Sequence, residues 1–206
     1  MTECNRARVD GEEHIDIYGL AQQYHPTFQP KLIEKAKKET VAIIGSGPAG
    51  LSAAFQLARR GYEVTVFEAA PVIGGKMRVI PRDRLPAETL EYDLARITSL
   101  GITVKADFHV GPTEFLGIQR DHDAVVVATG AHEPRVIEFI GNEHAISGLG
   151  FLQAISCGDE LDVKGKRIVI IGAGNVGMDI ACECRRLGAT AVTAVDIQEP
   201  ASFGDE

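Results

Sequence analysis

The sequence predicts an α/β protein whose parallel sheets are assembled from two copies of one phrase: strand, glycine turn, helix, strand. Short β-rich apolar runs, a glycine turn between each run and a helical period, and the return of the whole phrase at an offset of about 127 residues carry that prediction. The offset superposes Gly45, Gly47, Gly50 and Gly61 on Gly172, Gly174, Gly177 and Gly188.

Residues 1–38 read as a helical N-terminal arm or linker. Ile17, Leu20, Ala21 and Tyr24 share one side of a short amphipathic helix, Pro26 and Pro30 mark a turn, and Lys31 to Lys38 reads as a basic helical stretch. From Thr40 the punctuation changes. Val41 to Ile44 is an apolar strand, Gly45 to Gly50 a glycine turn, and Leu51 to Arg60 a helix that Gly61 closes before the strand Val64 to Phe67. Glu88 to Leu100 reads as a helix, Ile102 to Lys105 and Phe108 to Val110 as short strands, and Ala124 to Thr129 as a fully buried strand ending at Gly130. The second copy runs Arg167 to Ile171, Gly172 to Gly177, Met178 to Leu187, Gly188, and Ala191 to Val195. The expected organisation is therefore the arm (1–38), a first dinucleotide unit (39–135) and a second, incomplete one (136–206).

Composition narrows the function classes. A formal net charge of -8 works against attraction to a phosphate backbone, so no nucleic-acid partner is expected. The longest apolar runs are far shorter than the roughly 20 residues a spanning helix needs, and Met1 to His14 is polar, so the expectation is a cytoplasmic chain with no membrane partner. Cys4, Cys157, Cys182 and Cys184 have no CxxC spacing, and His109, His122 and His132 form no metal or triad pattern. No metal is expected, and the cysteines read as packing residues, with Cys182 and Cys184 on different helix faces.

Each glycine turn has the context that gives GxGxxG meaning: a buried strand before it, a helix after it, and an acidic residue about 23 positions on, Glu68 in the first copy and Asp196 in the second. Gly45 allows the tight turn out of the strand, Gly47 lets backbone approach a pyrophosphate, and Gly50 lets the helix pack close. The anion then rests on the helix N-terminus, while the carboxylate accepts from a ribose diol. The reading is of two Rossmann-like dinucleotide-binding βαβ units.

The ordered strings Val41-Ala-Ile-Ile-Gly-Ser-Gly-Pro-Ala-Gly-Leu51, Glu68, Gly74-Gly75, Arg84-Leu-Pro86, Ala128-Thr-Gly130 and Gly172-Ala-Gly-Asn-Val-Gly-Met-Asp179 resemble the glutamate synthase small-subunit family. That family includes the NAD(P)H-accepting halves of dihydropyrimidine dehydrogenase and of flavin-based bifurcating transhydrogenases. The resemblance implies FAD in the first unit: Gly45, Ser46, Gly47, Pro48, Ala49, Gly50 and Glu68 would hold its AMP half. Gly74, Gly75 and Lys76 would run past the pyrophosphate, Arg84 would contact FAD, and the backbone of Val110 would meet adenine. Thr129 and Gly130 would mark the crossing into the nicotinamide unit, where Gly172, Gly174, Asn175, Val176 and Asp196 would hold NAD.

Three departures qualify the resemblance. Only Cys4 precedes Thr40 where the family carries iron-sulfur cysteine clusters, so any cluster is expected in a partner subunit. Gly75 to Pro86 contains no cysteine pair, so direct thiol chemistry is not expected. Family members return to the flavin domain through a late Gly-Asp segment, for which Gly204-Asp205 does not qualify, so the chain is expected to be a fragment or a subunit completed by another chain. The implied function is FAD-dependent NAD(P)H:acceptor oxidoreduction, with electrons passing on to a redox partner, an iron-sulfur protein. The alternative is a non-catalytic dinucleotide-binding accessory subunit. Since the cofactors carry the chemistry, no catalytic side chain is expected. Asp196-Ile-Gln-Glu199, with no basic residue through Glu206, predicts NADH over NADPH.

Overall fold

Residues 31–32, 36–131, 133 and 138–197 are described in the computed structural model, which leaves the amphipathic helix and proline turn of the arm outside the described residues. Of the basic stretch, residues 31, 32 and 36–38 are not helical. The Lys37 amide donates to Gly61 O at 2.7 Å and its ammonium lies 4.2 Å from the Tyr62 ring, contacts that hold the chain extended.

The first unit is a parallel sheet with the order β3-β2-β1-β4. Strand β1 (Thr40–Ile44) lies inside it, with Val41 opposite Val64 of β2 (Glu63–Phe67) on one side and Ala124 of β4 (Ala124–Val127) on the other. A parallel strand covered on both faces should be almost wholly apolar, and Ala42 and Ile43 are completely buried. Helix α1 (Pro48–Arg59) opens with Pro at its first turn, where a missing N–H costs nothing. Its Gly50, Ala54 and Ala58 recur at helical spacing on the buried face, and these small residues let the helix close on Val41, Ile43 and Val66. Helix α2 (Ala87–Thr98) packs Leu90 and Leu94 on Leu51. The short β3 (Thr103–Lys105) finishes the other edge.

Two expectations change here. Phe108 to Val110 is not a strand: Asp107, at φ +51°, turns the chain so that the Asp107 and Phe108 amides bond Ala70 O and Glu68 O across the end of β2. Ala124 to Thr129 is not fully buried either. Among the described residues β4 has a strand on one side only, with Ala124 exposed and Val127 61% exposed. An apolar run alone does not distinguish a central strand from an edge one. A helix not expected from the sequence, α3 (Pro112–Asp121), precedes β4, with Glu114 accepting from the Gly111 amide at 3.0 Å and Ile118 buried on Ala42 and Phe67.

The second unit begins with α4 (Gly148–Cys157), also not expected, capped by Ser147 Oγ accepting from the Gly150 amide and ended by Gly158 at φ +82°. Strands β5 (Arg167–Ile171) and β6 (Ala191–Val195) pair in parallel with the boundaries read from the sequence, joined through α5 (Asn175–Arg186). Phe151, Leu152, Val163, Ile170, Ile180, Cys184 and Ala189 form its core. Of the two helix cysteines, Cys184 is the packing residue and Cys182 is exposed. No helix among the described residues is long and apolar enough to cross a membrane.

Candidate functional site

The first glycine turn is built by exclusion. Gly45 has φ +101°, and a Cβ there would lie 2.4 Å from Ala128 O, so both backbone conformation and space require glycine. A Cβ on Gly50 would lie 1.9 Å from Gly45 O, which fixes how tightly α1 seats against the turn. Gly47 differs: its backbone is ordinary (φ -69°, ψ -177°) and a Cβ would meet nothing within 4 Å. It faces open space in front of the N-terminus of α1, whose first ladder bond is Leu51 N to Gly47 O. The amides ahead of that bond, and the positive end of the helix, suit an anion. Open space over Gly47, bordered by helix amides, is the cradle a dinucleotide pyrophosphate needs.

Gly74 and Gly75 close one side of this space. Gly74 donates to Ser46 O at 3.1 Å, and a Cβ on Gly75 would lie 2.8 Å from Gly47 Cα. Lys76 is exposed in the 3-10 turn that follows (Gly75–Val79). Glu68, just past β2, accepts from the Ser46 amide at 2.9 Å and from Ser46 Oγ through one oxygen, and from the Ala70 amide at 2.9 Å through the other. The acidic residue is thus locked against the turn by Ser46, a completely buried hydroxyl that also accepts from Gly74 N. Val110 and Thr129 line an apolar groove of about 490 Å³ with Ile44, Phe115, Leu116 and Val127, at the carboxyl ends of β1 and β4. Exposed Pro48 and Ala49 sit in the first turn of α1, and Gly130, at φ +76°, follows the groove.

The second turn repeats the first. Gly172 has φ +102°, a Cβ on Gly177 would lie 2.0 Å from Gly172 O, and Gly174 (φ -64°, ψ -179°) faces open space as Gly47 does. Asp196 accepts from the Ala173 amide at 2.6 Å, the counterpart of Glu68 on Ser46 N. Asn175 and Val176 are exposed at the start of α5. One difference follows from the sheets. Gly45 is hemmed in by the end of β4, whereas a Cβ on Gly172 would meet nothing within 4 Å, because β5 has only β6 as a neighbour among the described residues.

Arg84 stands apart from the other first-unit residues. It forms an ion pair with Asp179 of α5, Nη1 to Oδ1 2.6 Å, and the hydrogen bond to that carboxylate raises its pKa further. Asp179 ends the motif string that begins at Gly172, but a pairing across 95 positions leaves no local signal in the sequence. Among the described residues no group of three His, Cys, Asp or Glu side chains could hold a metal ion.

Two parallel strand-turn-helix units, each with a strand-end acid bonded to its turn, define a Rossmann-like dinucleotide-binding protein. Residues 39–202 match the model of the pyridine nucleotide-disulphide oxidoreductase family, and the chain belongs to that family. Among curated relatives, it is 44% identical over 158 residues to the NADP(+)-dependent formate dehydrogenase subunit beta of Moorella thermoacetica, covering 74% of this chain and 22% of that protein. It is 34% identical over 209 residues to the NAD-dependent dihydropyrimidine dehydrogenase subunit PreT of Escherichia coli K12, covering 97% and 50%. A glutamate synthase [NADPH] small chain from Mycobacterium tuberculosis is 36% identical, covering 82% and 38%, so the resemblance drawn from the motifs holds. The chain spans half or less of the length of these relatives. Mycobacterium tuberculosis FprA in complex with NADPH shares the fold, with a TM-score of 0.66 at 21% identity over 81% of this chain and 45% of that one.

Proposed function

We propose that this chain is the electron-input portion of a flavin-dependent NAD(P)H:acceptor oxidoreductase, with FAD on the first glycine turn, a nicotinamide dinucleotide on the second, and a redox partner subunit of the iron-sulfur class as acceptor. The observation that carries the proposal is the duplication itself: the same open glycine at a helix N-terminus, beside the same acid-to-amide bond, appears as Gly47 with Glu68 and as Gly174 with Asp196. When bound, the pair of cofactors would supply hydride transfer from nicotinamide to flavin and onward release of electrons. The protein's own part is to hold and orient. The turn amides would receive the pyrophosphates, Glu68 and Asp196 hold their turns in shape and would accept from the ribose hydroxyls, and Gly75 and Lys76 would border the path from the first pyrophosphate. The named relatives, two of them subunits of larger enzymes, support a partner.

For the nicotinamide we favour NADH. Asp196 is fixed beside the second turn, where a 2'-phosphate would meet a like charge, a juxtaposition that costs several kcal/mol. Relatives named for NAD and for NADP both occur, and the reading for NADH rests on the carboxylate of Asp196.

The test is spectroscopic. Purified protein should be yellow, and anaerobic NADH should bleach the flavin band; a colourless, nucleotide-free preparation overturns the proposal. Asp196→Ala should narrow the preference for NADH over NADPH. Tighter NADPH binding by the unaltered protein would refute the preference alone.

A further inference from the structure

Residues 74–86 touch the first glycine turn and the second unit. At one end Gly74 bonds Ser46 of the first turn. Val79 then packs against the second unit's core of Phe151, Leu152 and Ile180, and Leu85 returns to Leu51, Leu90 and Leu94 of the first. Between these apolar anchors stand two adjacent residues of opposite charge, and α5 presents the complementary pair. Arg84 bonds Asp179, whose side chain is 18% exposed. Asp83 and Arg186, two turns further along α5, line one hollow, and Glu183 braces Arg186 at 2.8 Å. Asp179 lies four positions from Asn175, about 6 Å along a rigid helix that carries the second turn on its N-terminus.

We infer that Arg84 and Asp179 form a positioning pair that registers α5, and with it the second glycine turn, against the first unit, so fixing how a nicotinamide approaches a flavin. This rests on the function proposed above. As a cohesive contact the pair contributes little, because Arg84 is mostly exposed and such pairs add little to stability. As a register its leverage is larger: transfer needs reacting atoms about 3–3.5 Å apart, and a misplacement of about 1 Å can cost about 100-fold.

The experiment compares full-length protein, with any partner subunit it carries, to its Asp179→Asn and Asp179→Glu variants. In Asp179→Asn, flavin content and melting temperature should hold, and NADH half-saturation should move less than about twofold, while flavin bleaching at saturating NADH slows about tenfold. Asp179→Glu, which keeps the charge, should recover much of that loss. A readout independent of activity is hydrogen exchange at the Arg84 and Leu85 amides, which both bond Pro81 O. Exchange there should quicken in Asp179→Asn and, in unaltered protein, as added salt screens the pair. Rate and exchange both unchanged in Asp179→Asn overturn the inference. If that variant does not fold, salt-independent exchange in unaltered protein overturns it. Failure of NADH to bleach the unaltered protein would instead sink the proposed function, and exchange would still decide the pair.

Discussion

Gly47 and Gly50 lie three residues apart in one motif, yet the structure assigns them opposite tasks that two substitutions can separate. In Gly50→Ala the new methyl would sit 1.9 Å from Gly45 O, a backbone atom that cannot swing aside, so α1 must move off β1. Overpacking of this kind costs about 1–3 kcal/mol, or about 2–12 °C in melting temperature for a chain of this size. In Gly47→Val the side chain enters open space on a backbone any residue adopts. A poorer cap is offset by lower unfolded-state entropy, for a net change within about 1 kcal/mol. The same side chain occupies the space assigned to the pyrophosphate, so flavin content should fall sharply. Thermal unfolding of flavin-free protein separates stability from ligand linkage, and absorbance after reconstitution reports occupancy. An unchanged melting temperature in Gly50→Ala refutes the packing argument, and full flavin occupancy in Gly47→Val refutes the assignment of that space.

Ser46→Ala removes a buried hydroxyl that serves Glu68 and Gly74 together, and should cost about 1–3 kcal/mol in urea unfolding. Asp123, at the start of β4, accepts from the Thr40 amide and hydroxyl, which hold its carboxyl below the ordinary value of 3.8. Its contribution is present above that value and lost as pH falls through the lowered folded value, so unaltered protein should outlast Asp123→Asn at neutral pH and the gap should close in acid. Burial raises the Cys184 thiol pKa, with Glu183 adding to the effect, so mass spectrometry after brief labelling of native protein should find exposed Cys157 and Cys182 modified and Cys184 spared.

The two glycine turns were legible because their requirements are local. A φ near +100° at Gly45 and Gly172, and a strand-to-helix reversal too tight for a side chain at Gly50 and Gly177, must be met by residue type at fixed spacing. β5 and β6 were found to the residue for the same reason, as apolar runs bounded by glycine. Helices α3 and α4 carried local signals in Pro112 with Glu114 and in Ser147, but α3 buries only Ile118, too little periodicity to be read. What only the tertiary structure decided was neighbourhood. Residue type marked Ala124 to Thr129 as a strand, but among the described residues the sheet order leaves it at an edge, and the turn at Asp107 carried Phe108 across the end of β2 instead of along it. The resemblance gave Arg84 a contact with FAD, and only folding brought Asp179 to it across 95 positions. Steric demands within a turn are met by adjacent residues and so are written in order along the chain, whereas sheet edges and distant ion pairs depend on which segments fold together.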